Sequence, residues 1–126
     1  RILLVEDSAA LLTLVQRQLK NEHFEVLTAV NGQEAFEIIR QDDKIDVIFS
    51  DIMLPGGISG FDICREARKI RSDFKVLLTT GYAQNTPNEI DVLAKAPILY
   101  KPFSREDLLT RLAEVIAEPT PSTREL

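Results

Sequence analysis

Cysteine is nearly missing. Cys64 stands alone, so neither an internal disulfide nor a CxxC metal or redox pair can form. A reducing, cytoplasmic setting is consistent with that. Basic residues are also scarce: 15 Lys and Arg against 20 Asp and Glu leave a net charge of −5. Nucleic-acid affinity rests on clustered Lys and Arg, so the balance speaks against a nucleic-acid partner for this domain. It leaves room for a carboxylate cluster that wants a cation. No apolar run approaches the roughly 20 residues of a membrane span, so no membrane contact by this domain is expected. The opening "RILLVED" is too short for a signal peptide and ends in acids. It lacks a Met and starts one residue before a strand, which reads as a domain cut from a longer chain or one whose preceding residues are missing. Internal repeats and low-complexity segments are absent as well.

What is present suits one globular domain: 126 residues, 44% hydrophobic and 28% charged. Short apolar runs predict strands over Ile2–Val5, Glu25–Ala29, Val47–Ser50, Lys75–Thr79 and Ile98–Tyr100. The first, third and fourth are almost continuously apolar, as strands covered on both faces are. Helix starts alternate with them. Ser8 precedes the stripe Leu11, Leu12, Val15, Leu19. "NGQE" from Asn31 and "SGFD" with Ser59 and Asp62 resemble capping boxes; "TPNE" offers a Thr86 cap with Pro87 behind it, and "SRED" opens the last helix. Strict β-α alternation implies a parallel sheet with right-handed crossovers and helices on both faces. The expected fold class is α/β, a flavodoxin-like (βα)5 sandwich with strand order 2-1-3-4-5. Residues 1–117 form the domain in this reading, and the proline-containing stretch 118–126 is a frayed tail or linker.

In such sheets chemistry gathers beyond the carboxyl ends of the strands, at the topological switch. There the sequence delivers Glu6 and Asp7, then Asp51, then Thr79 and Thr80, then Lys101. Three carboxylates in one cleft repel one another unless a cation neutralises them, and hard oxygen ligands suit Mg²⁺. A hydroxyl and an ammonium complete a site able to hold a phosphoryl group. With one carboxylate as nucleophile, the implied chemistry is attack on phosphorus to form an aspartyl phosphate.

Over about residues 1 to 117, "LLVEDS", "DIMLP", "LLTTGYA" and "YKPF" together resemble the receiver (CheY-like) domains of two-component response regulators. The resemblance implies that Asp51 is the phosphoacceptor and that Glu6 and Asp7 are the acidic pair at the Mg²⁺, with Asp7 the more direct ligand. It implies that Met53 offers its backbone carbonyl to the metal, that Thr80 is the conserved hydroxyl and that Lys101 is the conserved lysine. The Lys101–Pro102 bond is usually cis in this family. The implied function is phosphoryl acceptance from a phosphohistidine on a histidine kinase or histidine phosphotransfer partner, with self-catalysed transfer to Asp51 rather than conventional enzymatic turnover. Signalling would then pass through Thr80 to the face built from the fourth helix, the fifth strand and the fifth helix, a face compatible with homodimerisation. The style of "GISG" and "LLTTGYAQN" resembles receivers at the C-terminal end of hybrid sensor histidine kinases, in which case the parent chain could be membrane-anchored. A stand-alone regulator, or a receiver cut from a DNA-binding one, is the alternative parent.

Three departures from the family pattern stand out. The loop glycine, Gly60, comes nine residues after Asp51 instead of eight, and Gly56 and Gly57 can take positive φ so that the extra residue bulges outward. The aromatic usual three residues before the lysine is Ile98, with Tyr100 one residue before it. Either Tyr100 takes over part of the switching role or the usual coupling is absent. Met53 and Tyr82 occupy the positions that tune acyl-phosphate lifetime; both are bulky, which predicts a slow loss of phosphate.

Plainer accounts exist for each residue. Glu6 and Asp7 could simply favour a helix N-terminus, and Asp51 could cap a turn. Thr79 is expected to point away from Thr80 with a satisfied hydroxyl. His23 reads as a solvated surface residue, Cys64 as a small apolar helix residue, and "REARKIR" (Arg65 to Arg71) as a solvated face that leaves kinase docking open. Two rival functions remain: a receiver-like interaction module acting without phosphate, and a Mg²⁺-dependent phosphohydrolase with an aspartyl intermediate. The hydrolase usually carries a second acid where Met53 stands. A flavin site is weaker still, because the acids after the first strand repel phosphate.

Overall fold

Residues 1–81 and 97–117 are described in the structure, a computed structural model. Five strands form one parallel sheet: β1 (Ile2–Val5), β2 (Val26–Ala29), β3 (Val47–Asp51), β4 (Lys75–Thr80) and β5 (Ile98–Tyr100). Their order is β2-β1-β3-β4-β5, as expected for a flavodoxin-like sheet. The predicted strands hold to within a residue at each end. Asp51 and Thr80 prove to be the last residues of their strands rather than the first residues beyond them.

Burial explains the order. Every residue of β1 and β3 is buried, and so is all of β4 but Lys75; these are the three strands flanked on both sides. Helices α1 (Ala9–Asn21) and the last helix, Arg105–Ala117, cover one face. There Val15, Leu19, Leu108, Leu112 and Val115 pack on Ile2, Leu4, Phe49 and Leu77. The helices α2 (Gly32–Gln41) and α3 (Gly60–Ile70) cover the other. On that side Ala35, Ile39, Ile63 and Ala67 meet Leu3, Val5 and Ile48. A third cluster on the α3 side joins Phe61 and Cys64 to Val76, Leu78 and Ile98.

Local signals fix where each helix starts. Ser8 caps α1, and Asn31 caps α2 by accepting from the Glu34 amide at 2.8 Å. The Glu34 carboxylate accepts from the Val30 amide, one residue earlier than a reciprocal capping box requires. Ser59 and Asp62 do form the reciprocal box at α3, and Ser104 and Asp107 exchange the same two bonds before the last helix. The helix expected from Thr86 lies outside the described residues.

Candidate functional site

Glu6 leaves β1, Asp51 ends β3, Thr80 ends β4 and Lys101 follows β5, so four adjacent strands deliver polar groups to one edge of the sheet. Glu6, Asp7 and Asp51 each bring a carboxylate oxygen to within 4.8 Å of the others. Glu6 and Asp51 are buried, while Asp7 is exposed.

One ammonium binds the group together. Lys101 Nζ donates to Asp51 Oδ2 at 2.7 Å and to Glu6 Oε1 at 3.0 Å. The other oxygens are held by main chain: Met53 N donates to Asp51 Oδ1 at 3.2 Å, and Ser8 N donates to Glu6 Oε2 at 3.0 Å. Burial pushes the Glu6 carboxyl above its ordinary value, and the charge of Asp51 adds to the rise against the hydrogen bonds from Ser8 and Lys101. Burial opposes the Lys101 charge, but its bonds to Asp51 and Glu6 outweigh that and raise its pKa. The three carboxylates still outnumber the one ammonium, so the edge attracts a further cation. Its donors are all hard oxygens, which fits Mg²⁺.

The backbone around Asp51 is tightly packed. A Cβ on Gly60 would stand 2.4 Å from the Asp51 carbonyl oxygen and 3.0 Å from Ile52 Cα. The Gly60 amide donates to Ile52 O at 2.9 Å, and the Ser50 hydroxyl donates to Asp51 O at 2.9 Å. In the sequence Gly60 reads only as a loop marker and Ser50 only as a strand residue. The offset of Gly60 is absorbed by Gly56 (φ 88°) and Gly57 (φ 81°), and a Cβ on either would meet nothing within 4 Å. The turn therefore bulges outward while Asp51 stays in the strand.

The Lys101–Pro102 bond is cis. Tyr100 pairs in register with Thr80 and is 44% exposed, whereas Ile98 pairs with Leu78 and is buried. The Met53 side chain is exposed beside the site. Tyr82 lies outside the described residues. Two plainer expectations are corrected. The Thr79 hydroxyl has no hydrogen-bond partner among the described residues, and Arg71 is no freely solvated member of its run but a clamp on the α2–β3 connection. His23 is exposed and adopts a left-handed φ of 70° at the end of α1.

The pattern of the family described as the response regulator receiver domain matches residues 2–113. The chain belongs to that family. As a receiver, it is 31% identical over 122 residues to the response regulator MprA of Mycolicibacterium vanbaalenii, covering 96% of this chain and 52% of that one. Among solved structures, TrrA of Thermotoga maritima, in complex with Mg(2+)-BeF, is 30% identical with a TM-score of 0.80, covering 91% of this chain and 97% of that one. The chemotaxis protein CheY4 of Vibrio cholerae is 28% identical with a TM-score of 0.80, covering 90% of this receiver and 96% of its own chain. The receiver spans about half the length of the curated relatives it matches. Among the described residues, no helix is long and apolar enough to cross a membrane.

Proposed function

We propose that this receiver accepts a phosphoryl group on Asp51 from a phosphohistidine of a histidine kinase or histidine phosphotransfer partner. The observation that carries the reading is the Lys101 ammonium, bonded at once to Asp51 and Glu6 within a cluster of three carboxylates. An Asp51 carboxylate oxygen attacks the phosphorus, the P–N bond breaks, and the imidazole nitrogen keeps the electron pair. Lys101 neutralises charge on the phosphoryl oxygens, and the Thr80 hydroxyl donates to one of them. Glu6, Asp7, Asp51 and the Met53 carbonyl would hold Mg²⁺, which when bound offsets the negative charge of the carboxylates and the incoming phosphate.

Thr80 passes the change to its register neighbour Tyr100, which supports Tyr100 rather than buried Ile98 as the switching aromatic. The exposed Met53 side chain shields the acyl phosphate from water and lengthens its life, with Tyr82 as its expected partner. Residues 1–117 act as the module and 118–126 as a linker. The parent chain is a hybrid histidine kinase or a response regulator, and the face that includes β5 is where a homodimer would form. The sheet-edge lysine favours this reading over a phosphate-independent interaction module.

The test is exposure to acetyl phosphate and Mg²⁺, followed by mass spectrometry. A gain of one phosphoryl group is expected in the wild type and none in Asp51→Asn. A gain that survives the substitution overturns the assignment, and a label that decays in seconds overturns the proposed lifetime.

A further inference from the structure

Beside the acceptor lies a polar atom that no role has yet claimed. In register, Asp51 of β3 faces Thr79 of β4, and Thr79 faces Leu99 of β5. Side chains of register neighbours share a face of a parallel sheet, and successive residues alternate. Thr79 therefore lies on the Asp51 face, with Phe49 and Leu77, while Thr80 lies on the opposite one. Thr79 is 4% exposed, and its Oγ1 finds no hydrogen-bond partner among the described residues. A buried, unpaired hydroxyl is costly, and a valine would fill the same volume without it.

Lys101 lies two residues beyond Leu99, on the same face. Its Nζ reaches Asp51 and Glu6, so the side chain spans the end of β4 over the strip that Thr79 occupies. An ammonium carries three donors, and two of them are committed to these carboxylates. Phosphorylation turns one Asp51 oxygen into the bridging oxygen of an acyl phosphate and removes its full charge. Lys101 must then turn toward the phosphoryl oxygens. A hydroxyl with no bond to break is the acceptor waiting along that path.

We propose that Thr79 is a positioning residue for Lys101, its hydroxyl accepting the third ammonium N–H and holding the lysine over the phosphoryl group. The inference rests on phosphorylation of Asp51. It predicts opposite effects of one substitution in the two states of the protein. Without phosphodonor, Thr79→Val raises the melting temperature, because an unpaired hydroxyl is removed. With acetyl phosphate and Mg²⁺, the same variant labels at Asp51 about ten-fold more slowly than wild type. It also loses part of the melting-temperature gain that beryllium fluoride and Mg²⁺ give the wild type. Thr79→Ser restores both the labelling rate and the gain. A Thr79→Val chain that melts lower than wild type, or that labels at the wild-type rate with the full gain, overturns the inference while leaving Asp51 phosphorylation standing. A wild-type chain that takes no label overturns both.

Discussion

The two ends of the sheet each gather several oxygens around one long cation, and they do so to different effect. At the amino ends of the strands, Arg71 donates from Nε to Asp73 at 2.6 Å, from one guanidinium nitrogen to the Asp43 carbonyl at 2.7 Å and from the other to the Ile45 carbonyl. Its guanidinium carbon lies 4.2 Å from the Phe74 ring centroid. Two of its three partners are neutral carbonyls and the third is a single exposed carboxylate, so its charge is matched. At the carboxyl ends, Lys101 is bonded to the two buried members, Glu6 and Asp51, of a cluster of three carboxylates. A matched clamp is a fastening. The unmatched cluster at the carboxyl ends, with two of its acids buried, is a demand for further positive charge.

That contrast can be broken from either end. The largest effect is expected from Gly60→Ala, since the added Cβ meets main-chain atoms that no rotamer change can move. A loss of about 3 kcal/mol in urea unfolding is expected, together with slower Asp51 labelling. Lys101→Met should cost about 2 kcal/mol near pH 8, because two buried carboxylates lose their shared cation. Added Mg²⁺ should recover much of that, seen as a larger metal-induced rise in melting temperature than in wild type. Arg71→Met should cost about 1.5 kcal/mol by leaving two carbonyls without their donor, yet Asp51 labelling and the metal-induced rise should stay unchanged. An altered labelling rate there would show that the two ends are coupled.

The smallest effect concerns Cys64, whose thiol burial pushes up to about 12 from 9.0. The unfolded chain gives up this proton first, so the folded state binds more protons between those values. Stability from this group is complete below pH 9 and declines as pH rises toward 12, by at most about 1.4 kcal/mol per pH unit. A thiol reagent at pH 8 should leave the native protein unmodified and react on unfolding. Fast native labelling would contradict the burial.

Much of this was legible in advance because the signals were local or periodic. Apolar runs place all five strands within a residue, and Ser8, Asn31 and Ser59 cap where short-range chemistry puts them. The site residues were legible through strand order, since a doubly wound sheet brings Glu6, Asp51 and Lys101 to one edge. What escaped depends on contacts between distant segments. Gly60 matters because α3 starts against the Asp51 backbone, and nothing in "GISG" reveals that approach. The orphaned Thr79 hydroxyl depends on which atoms surround a strand position, and Arg71 depends on a loop far from it in sequence. Tyr100 is intermediate: alternation put it on the face of Ile98, but only the register with Thr80 shows which of the two stands beside that hydroxyl.

The turn at Gly56 and Gly57 carries a last consequence. Both residues sit at positive φ, yet a Cβ built on either would touch nothing. Space is therefore not what excludes an ordinary side chain there; handedness is. A mirror-image alanine prefers that same backbone region, so a chemically synthesised chain carrying D-Ala at either position should keep the bulge and narrow the unfolded ensemble. The segment nearest the acceptor that departs from its family in length would then be stiffened by stereochemistry alone, with no contact added or lost.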